Sequence, residues 1–360
     1  MIPIAQPLIG IEEENKVIEV LNSKMLAQGE YVKQFESDFA NYLGAKYATA
    51  TSSGTSALHA VMDGLSISPG DKVITTPFSF IASANAILYC GAEPVFADID
   101  PQTYNISPDN LAAAVKKHPD AKAVLMVHLY GLPADMDGIC QIVKENSLYL
   151  LEDCAQAHGA AYKGKKVGTF GDAAAFSFYP TKNITSVEGG MVVTNNHQLN
   201  QRVKMFINHG QSKRYHHDLL GYNFRMTNIH AAVGIEQLKK LDEFNQQRIE
   251  NAEYYLKHIK NPRVTLSYKP DDCTHVYHQF TLQSEEREGL INHLHKNEVG
   301  YAIHYPLIIP RQKLYQRKFN YQESWPVAEE VAQRCVSIPV HPGLTPKQRQ
   351  YIVEVVNSYV

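Results

Sequence analysis

The 360-residue chain has one tryptophan and only five cysteines. Cys90, Cys140, Cys154, Cys273 and Cys335 lie far apart, form no C-x-x-C pair, and are odd in number, which suits free thiols rather than a disulfide framework. No stretch reaches the roughly 18 consecutive apolar residues that span a bilayer. The opening MIPIAQPLIGIEEEN lacks a basic segment and meets acidic residues too early for a secretory leader. A reducing, cytoplasmic setting is the expectation. No charge of one sign dominates either, since the formal net charge is -3. Basic residues are scattered except for Lys163, Lys165 and Lys166, expected in a solvated turn, so neither nucleic acid nor a membrane is an expected partner. The histidines are many but unpatterned. His293 and His295, His275 and His278, and His216 and His217 are close in sequence, yet none makes H-E-x-x-H or a Cys/His zinc spacing, and no metal is expected.

What the chain does have is alternation of helix and strand signals. In YVKQFESDFANYL, Val32, Phe35, Phe39 and Tyr42 recur at helical spacing. The stretch YATATSS is followed by a glycine and the helical TSALHAVMDGL. Buried-strand patterns recur at KVITTP, EPVFADI, KAVLMVHLYG, LYLLED, AAAFSF and GGMVVTN. Helix signals lie between several of them, such as SPDNLAAAVKK with Ser107 as N-cap and Pro108 at the first helical position. Strands alternating with helices predict an α/β fold with a mainly parallel sheet covered on both faces. From about Met226 the texture changes to a long helical stretch, TNIHAAVGIEQLKKLDEFNQQRIENAEYYLKHI. A strand (VYHQFTLQ), a helix (EEREGLINHLHKN), a second strand (VGYAIHY) and two terminal helices follow. The expected organisation is a large domain over residues 13–236 and a smaller C-terminal α/β domain over 237–360, joined by residues 1–12.

Open α/β sheets bind ligands where strands end and loops begin. LYLLED ends in Glu152 and Asp153, which by themselves fit a metal ligand, a ribose anchor or a solvated turn. AAAFSF runs into YPTKN, placing Lys182 just past apolar residues, with Ser177 before it and Gly189 and Gly190 after it. Alone, such a lysine is usually surface charge. Partly buried, its ammonium is disfavoured, which promotes imine chemistry with an aldehyde. Together with Asp153 it meets two needs of a pyridoxal 5'-phosphate (PLP) site: an imine-forming lysine, and an acid that keeps the pyridine nitrogen protonated. The third need is a phosphate cradle. TSSGTSALHA offers small hydroxyl residues and Gly54 before a helix, although a plain N-cap explains SSGT equally well. The helix dipole would supply about 0.3–1 kcal/mol, so charge-assisted hydrogen bonds at roughly 1.5–3 kcal/mol each, from donors such as Thr55 and Ser177, must do most of the holding. Two rival phosphate motifs fail. GAAYKGKK has Lys166 where a P-loop needs Ser or Thr, and no G-x-G-x-x-G is present.

In this order and spacing the segments resemble the DegT/DnrJ/EryC1/StrS family of PLP-dependent sugar aminotransferases, of aspartate-aminotransferase-like fold (fold type I). The likeness runs over essentially the whole chain, from IPIAQPLIGIEEE and MLAQGEYVKQFESDFANYLGAKYA through SSGTSAL, FADIDPQTYNI, HLYGLPADMD, LEDCAQAHGA, FSFYPTKN and GYNFRMTNIHAAVG to IPVHPGLT. The resemblance implies that Lys182 carries PLP as a Schiff base and that Asp153 contacts the pyridine nitrogen. It further implies that Gln156 meets the ring hydroxyl, that Phe80 stacks on the ring, and that Gly54, Thr55 and Ser177 hold the phosphate. Asn223 of GYNFR would reach the phosphate across a homodimer interface and Arg225 would approach the sugar nucleotide there. His304 and Tyr305 would line the sugar site. His158 and His341 also sit in familiar motifs, and a structural role fits them equally well. The implied reaction moves an amino group from L-glutamate to a nucleotide-linked 3- or 4-keto sugar, with Lys182 as general base and acid.

Pro310 and Arg311 stand where family members often have LHxQ, and His230 replaces a more usual glutamine. Both departures bear on the sugar rather than on the cofactor. Three rivals are disfavoured. A sugar dehydratase of this fold has histidine in place of the lysine. A non-catalytic PLP-binding regulator would carry a DNA-binding motif, and none precedes Ile2 or follows Val360. A nicotinamide dehydrogenase would need the missing glycine fingerprint.

Overall fold

The computed structural model covers residues 1–360. Its strands in the first two hundred residues are β1 (Tyr47–Thr51), β2 (Lys72–Thr75), β3 (Glu93–Phe96), β4 (Ala121–Val127), β5 (Tyr149–Asp153), the short β6 (Ala161–Tyr162) and β7 (Lys165–Lys166), β8 (Ala173–Ser177) and β9 (Gly190–Thr194). Leaving out β6 and β7, they form one seven-stranded sheet in the order β1-β9-β8-β5-β4-β2-β3. The β5–β8, β4–β5, β2–β4 and β2–β3 pairings are parallel, and only β9 runs against its neighbours. The apolar runs read as continuous rather than alternating because the helices cover both faces.

Those helices are α1 (Ile11–Ser23), α2 (Glu30–Leu43), α3 (Gly54–Gly64), α4 (Ala82–Tyr89), α5 (Pro108–Lys117), α6 (Met136–Glu145) and α7 (His197–Phe206), followed by the 31-residue α8 (Asn228–His258). The expected cap of α5 is present, with the Ser107 side chain accepting from the Asn110 N–H. The stripe on α2 buries Val32, Phe35 and Phe39 against Phe176 and Phe178, at ring separations of 4.9–5.4 Å. Tyr42, the fourth member of the stripe, is only partly buried. Its hydroxyl donates to Asp242 and its ring lies 3.4 Å beneath the Lys166 Nζ.

The lysine run is the solvated turn expected, except that Lys166 is half-buried. Lys163 and Gly164, both at positive φ, do form the tight turn between β6 and β7. Lys166 packs on Tyr42 and donates to its carbonyl at 2.7 Å, while Lys165 rests 4.2 Å over Phe170. In both contacts the ammonium itself lies over the ring, attracted by the negative aromatic face.

Beyond β9 come the small hairpin of β10 (Gln211–Lys213) and β11 (His216–His217), then β12 (Cys273–Thr274), which adds to β6. The C-terminal part holds β13 (Phe280–Gln283), α9 (Arg287–Lys296), α10 (Lys313–Phe319), α11 (Pro326–Arg334), β14 (Cys335–Ile338) and α12 (Pro346–Asn357). VGYAIHY, expected as a strand, makes only isolated bridges, Ile2 with Val299 and Ala302 with Ser337. The partner of β13 is instead β14, paired antiparallel from Phe280–Ile338 to Gln283–Cys335. The reason lies at Gly300, where a Cβ would stand 2.6 Å from the Ile2 carbonyl oxygen. The N-terminal segment crosses there and prevents a regular ladder. Three helices, not two, follow this segment. No helix is long and apolar enough to cross a membrane.

Candidate active site

Because β1, β5 and β8 point the same way, their C-terminal ends deliver Ser53–Thr55, Asp153–Gln156 and Ser177–Lys182 to one place. A cavity of about 430 Å³ opens there, and its lining also includes Phe80, Ser83, His278, Gln279, His304 and Tyr305.

Asp153 is buried. One carboxylate oxygen accepts from the Ser83 hydroxyl at 2.7 Å and the other from the Ala155 N–H at 3.1 Å. Burial outweighs these donors and the attraction of Lys182 and raises its pKa. Lys182 follows in the turn after β8, its N–H donating to the Tyr179 carbonyl at 2.9 Å. Burial lowers its pKa to about 8, against the opposing pull of Asp153. A pKa near 8 leaves about a tenth of the amine free at pH 7 and about half at pH 8. Acylation of Lys182 in the apo-protein, followed by peptide mass, should therefore speed up about fivefold between pH 7 and pH 8 and level off above pH 9. An ordinary surface lysine keeps rising through that range.

At the start of α3 the Ser53 side chain caps the Ser56 N–H at 3.1 Å. The Gly54 and Thr55 N–H groups, in the first helical turn, have no acceptor within the helix and face the cavity. Gly54 sits so close to β8 that a Cβ would lie 2.6 Å from the Ser177 Cβ. The double glycine has a matching cause, since a Cβ on Gly190 would lie 2.2 Å from the Ser53 carbonyl oxygen. Only bare backbone lets β9, β8 and the α3 N-terminus converge here.

Gln156 is anchored from both ends of its amide, accepting from the Tyr130 N–H at 2.8 Å and donating to the Tyr305 hydroxyl at 3.0 Å. The Tyr130 hydroxyl donates to the His304 carbonyl, and the His304 Nδ1 lies 2.9 Å from the Ser337 hydroxyl. Phe80 stands at the rim, 57% exposed, with its ring 6.2 Å from that of Tyr305.

Two expected site residues are elsewhere. Asn223 is exposed and Arg225 donates to Asn208 at 2.6 Å; neither lines the cavity of its own chain. His158 is sealed in the core against Phe176 and Phe178, and the Nε2 of His341 lies 3.1 Å from the Pro3 carbonyl. Ser83, His278 and Gln279 are among the lining residues not expected from the sequence. Ser83, in the first turn of α4, accepts from the hydroxyl of Ser79, which lies in the bend before the helix, at 3.1 Å.

Glu152, the other acid at the end of β5, belongs to a separate buried group with His128 and Cys154, whose ligating atoms lie within 4.8 Å of one another. Its oxygens accept from the Gly168, Phe170 and Gly171 N–H groups at 2.7–2.8 Å. His128, whose Nδ1 accepts from the Ala134 N–H, has Nε2 left to donate to Glu152. Burial alone would raise the Glu152 pKa, yet His128 and these N–H groups hold it below the usual value. With its oxygens so engaged, Glu152 pins the β7–β8 connection to the sheet.

The comparisons agree with this geometry. The model of the DegT/DnrJ/EryC1/StrS aminotransferase family matches residues 7–357. A GDP-perosamine synthase of Escherichia coli O157:H7 is 40% identical over 369 residues, covering 99% of this chain and 98% of that protein. A dTDP-3-amino-3,6-dideoxy-alpha-D-galactopyranose transaminase of Aneurinibacillus thermoaerophilus is 40% identical over 349 residues, 97% of this chain and 95% of its own. Among solved structures, Helicobacter pylori PseC, an aminotransferase involved in the biosynthesis of pseudoaminic acid, superposes with a TM-score of 0.93 at 33% identity, covering 99% of this chain and 98% of that one. The chain therefore belongs to the DegT/DnrJ/EryC1/StrS aminotransferase family.

Proposed function

We propose that the chain transfers an amino group from L-glutamate to a 3- or 4-keto sugar carried on a nucleotide, using PLP held in the cavity between Asp153 and Lys182. The observation that carries this reading is the convergence of a buried carboxylate, a lysine of lowered pKa and an open helix N-terminus on one cavity. The names of the two relatives point to different nucleotides, GDP and dTDP, so amination of a sugar is what they share.

The residues present fit PLP. The negative charge of Asp153 would be matched by a protonated pyridine nitrogen. The free N–H groups of Gly54 and Thr55, with the Thr55 and Ser177 hydroxyls, suit a phosphate dianion, and the missing Cβ at Gly54 leaves their approach open. Gln156, already fixed by Tyr130 and Tyr305, keeps one amide hydrogen for the ring hydroxyl. Phe80 at the rim supplies an apolar face to cover the ring. When bound, PLP supplies an electron sink that stabilises negative charge on the carbon losing its proton.

Lys182 performs the proton transfer. Its Nζ, with a pKa lowered by burial to about 8, would take the proton from the donor carbon and pass it on within the same half-reaction, and would run that transfer in reverse toward the sugar carbon in the second. His304 and Tyr305 line the same cavity as this amine and would hold the sugar.

We assign Asn223 and Arg225 to the cavity of a partner subunit in a homodimer, Asn223 toward the phosphate and Arg225 toward the sugar nucleotide. Asn223→Ala should then weaken PLP retention about tenfold, the loss of one charge-assisted hydrogen bond. Unchanged retention in a dimer verified by light scattering would count against this shared site. We place the division between a large and a small domain within α8, whose apolar residues up to Phe244 pack in the sheet-associated core and from Ala252 onward in the C-terminal one. The five thiols, all free, support a cytoplasmic setting.

The experiment that tests the reading is a panel of GDP-, dTDP- and UDP-linked keto sugars incubated with glutamate and PLP and followed by mass. An aminated sugar nucleotide is the expected product. Amination of none of them, by enzyme that binds PLP, would overturn it.

A further inference from the structure

The cavity has two walls of different origin. Asp153, Gln156, Ser177 and Lys182 come from the sheet, whereas His278, Gln279, His304 and Tyr305 come from the C-terminal part. His278 is nine-tenths buried and its ring makes one hydrogen bond to the protein, from Nδ1 to the Asn183 side-chain oxygen at 3.2 Å.

Backbone carbonyls fix which way every group in this chain of contacts faces. The Asn183 amide nitrogen lies 3.0 Å from the Val276 carbonyl, which can only accept. It also lies 2.7 Å from the Asn245 side-chain oxygen, and the Asn245 amide nitrogen donates to the His158 carbonyl at 2.8 Å. The Asn183 oxygen is therefore left as an acceptor, so the His278 Nδ1 must carry the hydrogen. One turn along α8 from Asn245, Arg248 donates to the Tyr277 and His278 carbonyls at 3.3 and 3.4 Å. Tyr277 itself is held at φ 42, a left-handed conformation rare for a tyrosine, with its N–H tied to the His275 Nδ1 at 3.1 Å.

The consequence is chemical. Burial, Lys182 and Arg248 all keep the His278 ring neutral. With Nδ1 as donor, Nε2 is a bare lone pair. It makes no hydrogen bond to the protein and, unlike either nitrogen of His158, is not sealed in the interior. It faces the cavity as an acceptor only.

We propose that His278 is a specificity-determining residue for the acceptor substrate: its Nε2 lone pair, oriented by Asn183 and Asn245, accepts a hydrogen bond from a hydroxyl of the keto sugar. This rests on the amino-transfer reading above. A neutral hydroxyl suits the position better than an ammonium, because Lys182 and Arg248 already make the surroundings positive. A site built around such an acceptor rejects an analogue that cannot donate to it, since the buried lone pair is then left unpaired.

The two half-reactions separate this role from a general one. His278→Leu should lower kcat/KM for GDP- and dTDP-linked keto sugars about 10- to 100-fold, mostly through KM. The glutamate half-reaction, read by the cofactor's absorbance, should change less than about threefold. His278→Gln, which retains an acceptor, should recover part of the loss. Among deoxy analogues of the sugar, the one lacking the recognised hydroxyl should react equally with wild type and His278→Leu. Independently of activity, 15N NMR of the histidine-labelled protein should show His278 as the Nδ1–H tautomer, the signal being assigned by its absence in His278→Gln and its shift in Asn183→Leu. An Nε2–H signal, an equal loss in both half-reactions, or no loss with the sugar would each overturn the proposal. If wild type fails with glutamate or aminates no keto sugar, it is the aminotransferase reading that falls, and the tautomer still decides the geometry of His278.

Discussion

Lys182→Ala should abolish the covalent PLP adduct that borohydride traps and lower amino transfer by about 10²–10⁴-fold, the contribution expected of a positioned general acid and base. The same change should leave the apo-protein as stable as before at pH 7, or slightly more so. The sign follows from the lowered pKa. Between about pH 8 and the ordinary lysine value of 10.5 the folded chain binds fewer protons than the unfolded one, so stability rises with pH across that window and is at its lower level at pH 7. Removing the amine removes that penalty, and only the packing of its stem is lost. A thermal melt of the apo-variant, run beside the activity assay, separates chemistry from folding. Peptide mapping that finds the trapped adduct on a different lysine would show the assignment to be wrong.

Asp153→Asn should cost about 10²–10³-fold in activity while raising or preserving the melting temperature at pH 7. Asparagine keeps the shape, and the Ser83 hydroxyl can rotate to accept from the new amide. What it removes is the charge. The Asp153 carboxyl has a raised pKa, so above the unfolded value the folded chain holds protons longer than the unfolded one and loses stability as pH rises. The amide escapes that loss. It cannot hold a pyridine nitrogen protonated, so activity falls although the fold does not. A variant that is both inactive and markedly less stable would place Asp153 among structural residues instead.

Much of this site is legible in the amino-acid sequence. Apolar runs set most of the strands, since residues shielded on both faces need no alternation; six of the seven sheet strands fall on them, and β1 falls on the apolar-polar YATATSS. The carboxylate at the end of β5, the lysine after β8 and the SSGT segment before α3 could be singled out because each pairs a chemical residue type with a strand or helix terminus. The failures have physical causes as well. VGYAIHY has strand composition, but the N-terminal segment crosses it at Gly300. The lysine run is solvated as expected at Lys163 and Lys165, and only Lys166 is drawn in, onto the Tyr42 ring.

By itself, then, the sequence determined the α/β architecture and the family, and it singled out Lys182 and Asp153 as the proposed reactive pair, because those readings depend on residue type and local spacing. Tertiary structure alone decided how those two residues are tuned, since their pKa shifts arise from burial. It also decided that Glu152, adjacent to Asp153, pins the fold while Asp153 faces the cavity, because side chains on a strand alternate between faces. It decided which nitrogen of His278 carries the proton, since that depends on Asn183 and Asn245, distant in sequence and oriented by backbone carbonyls that meet only in the folded chain.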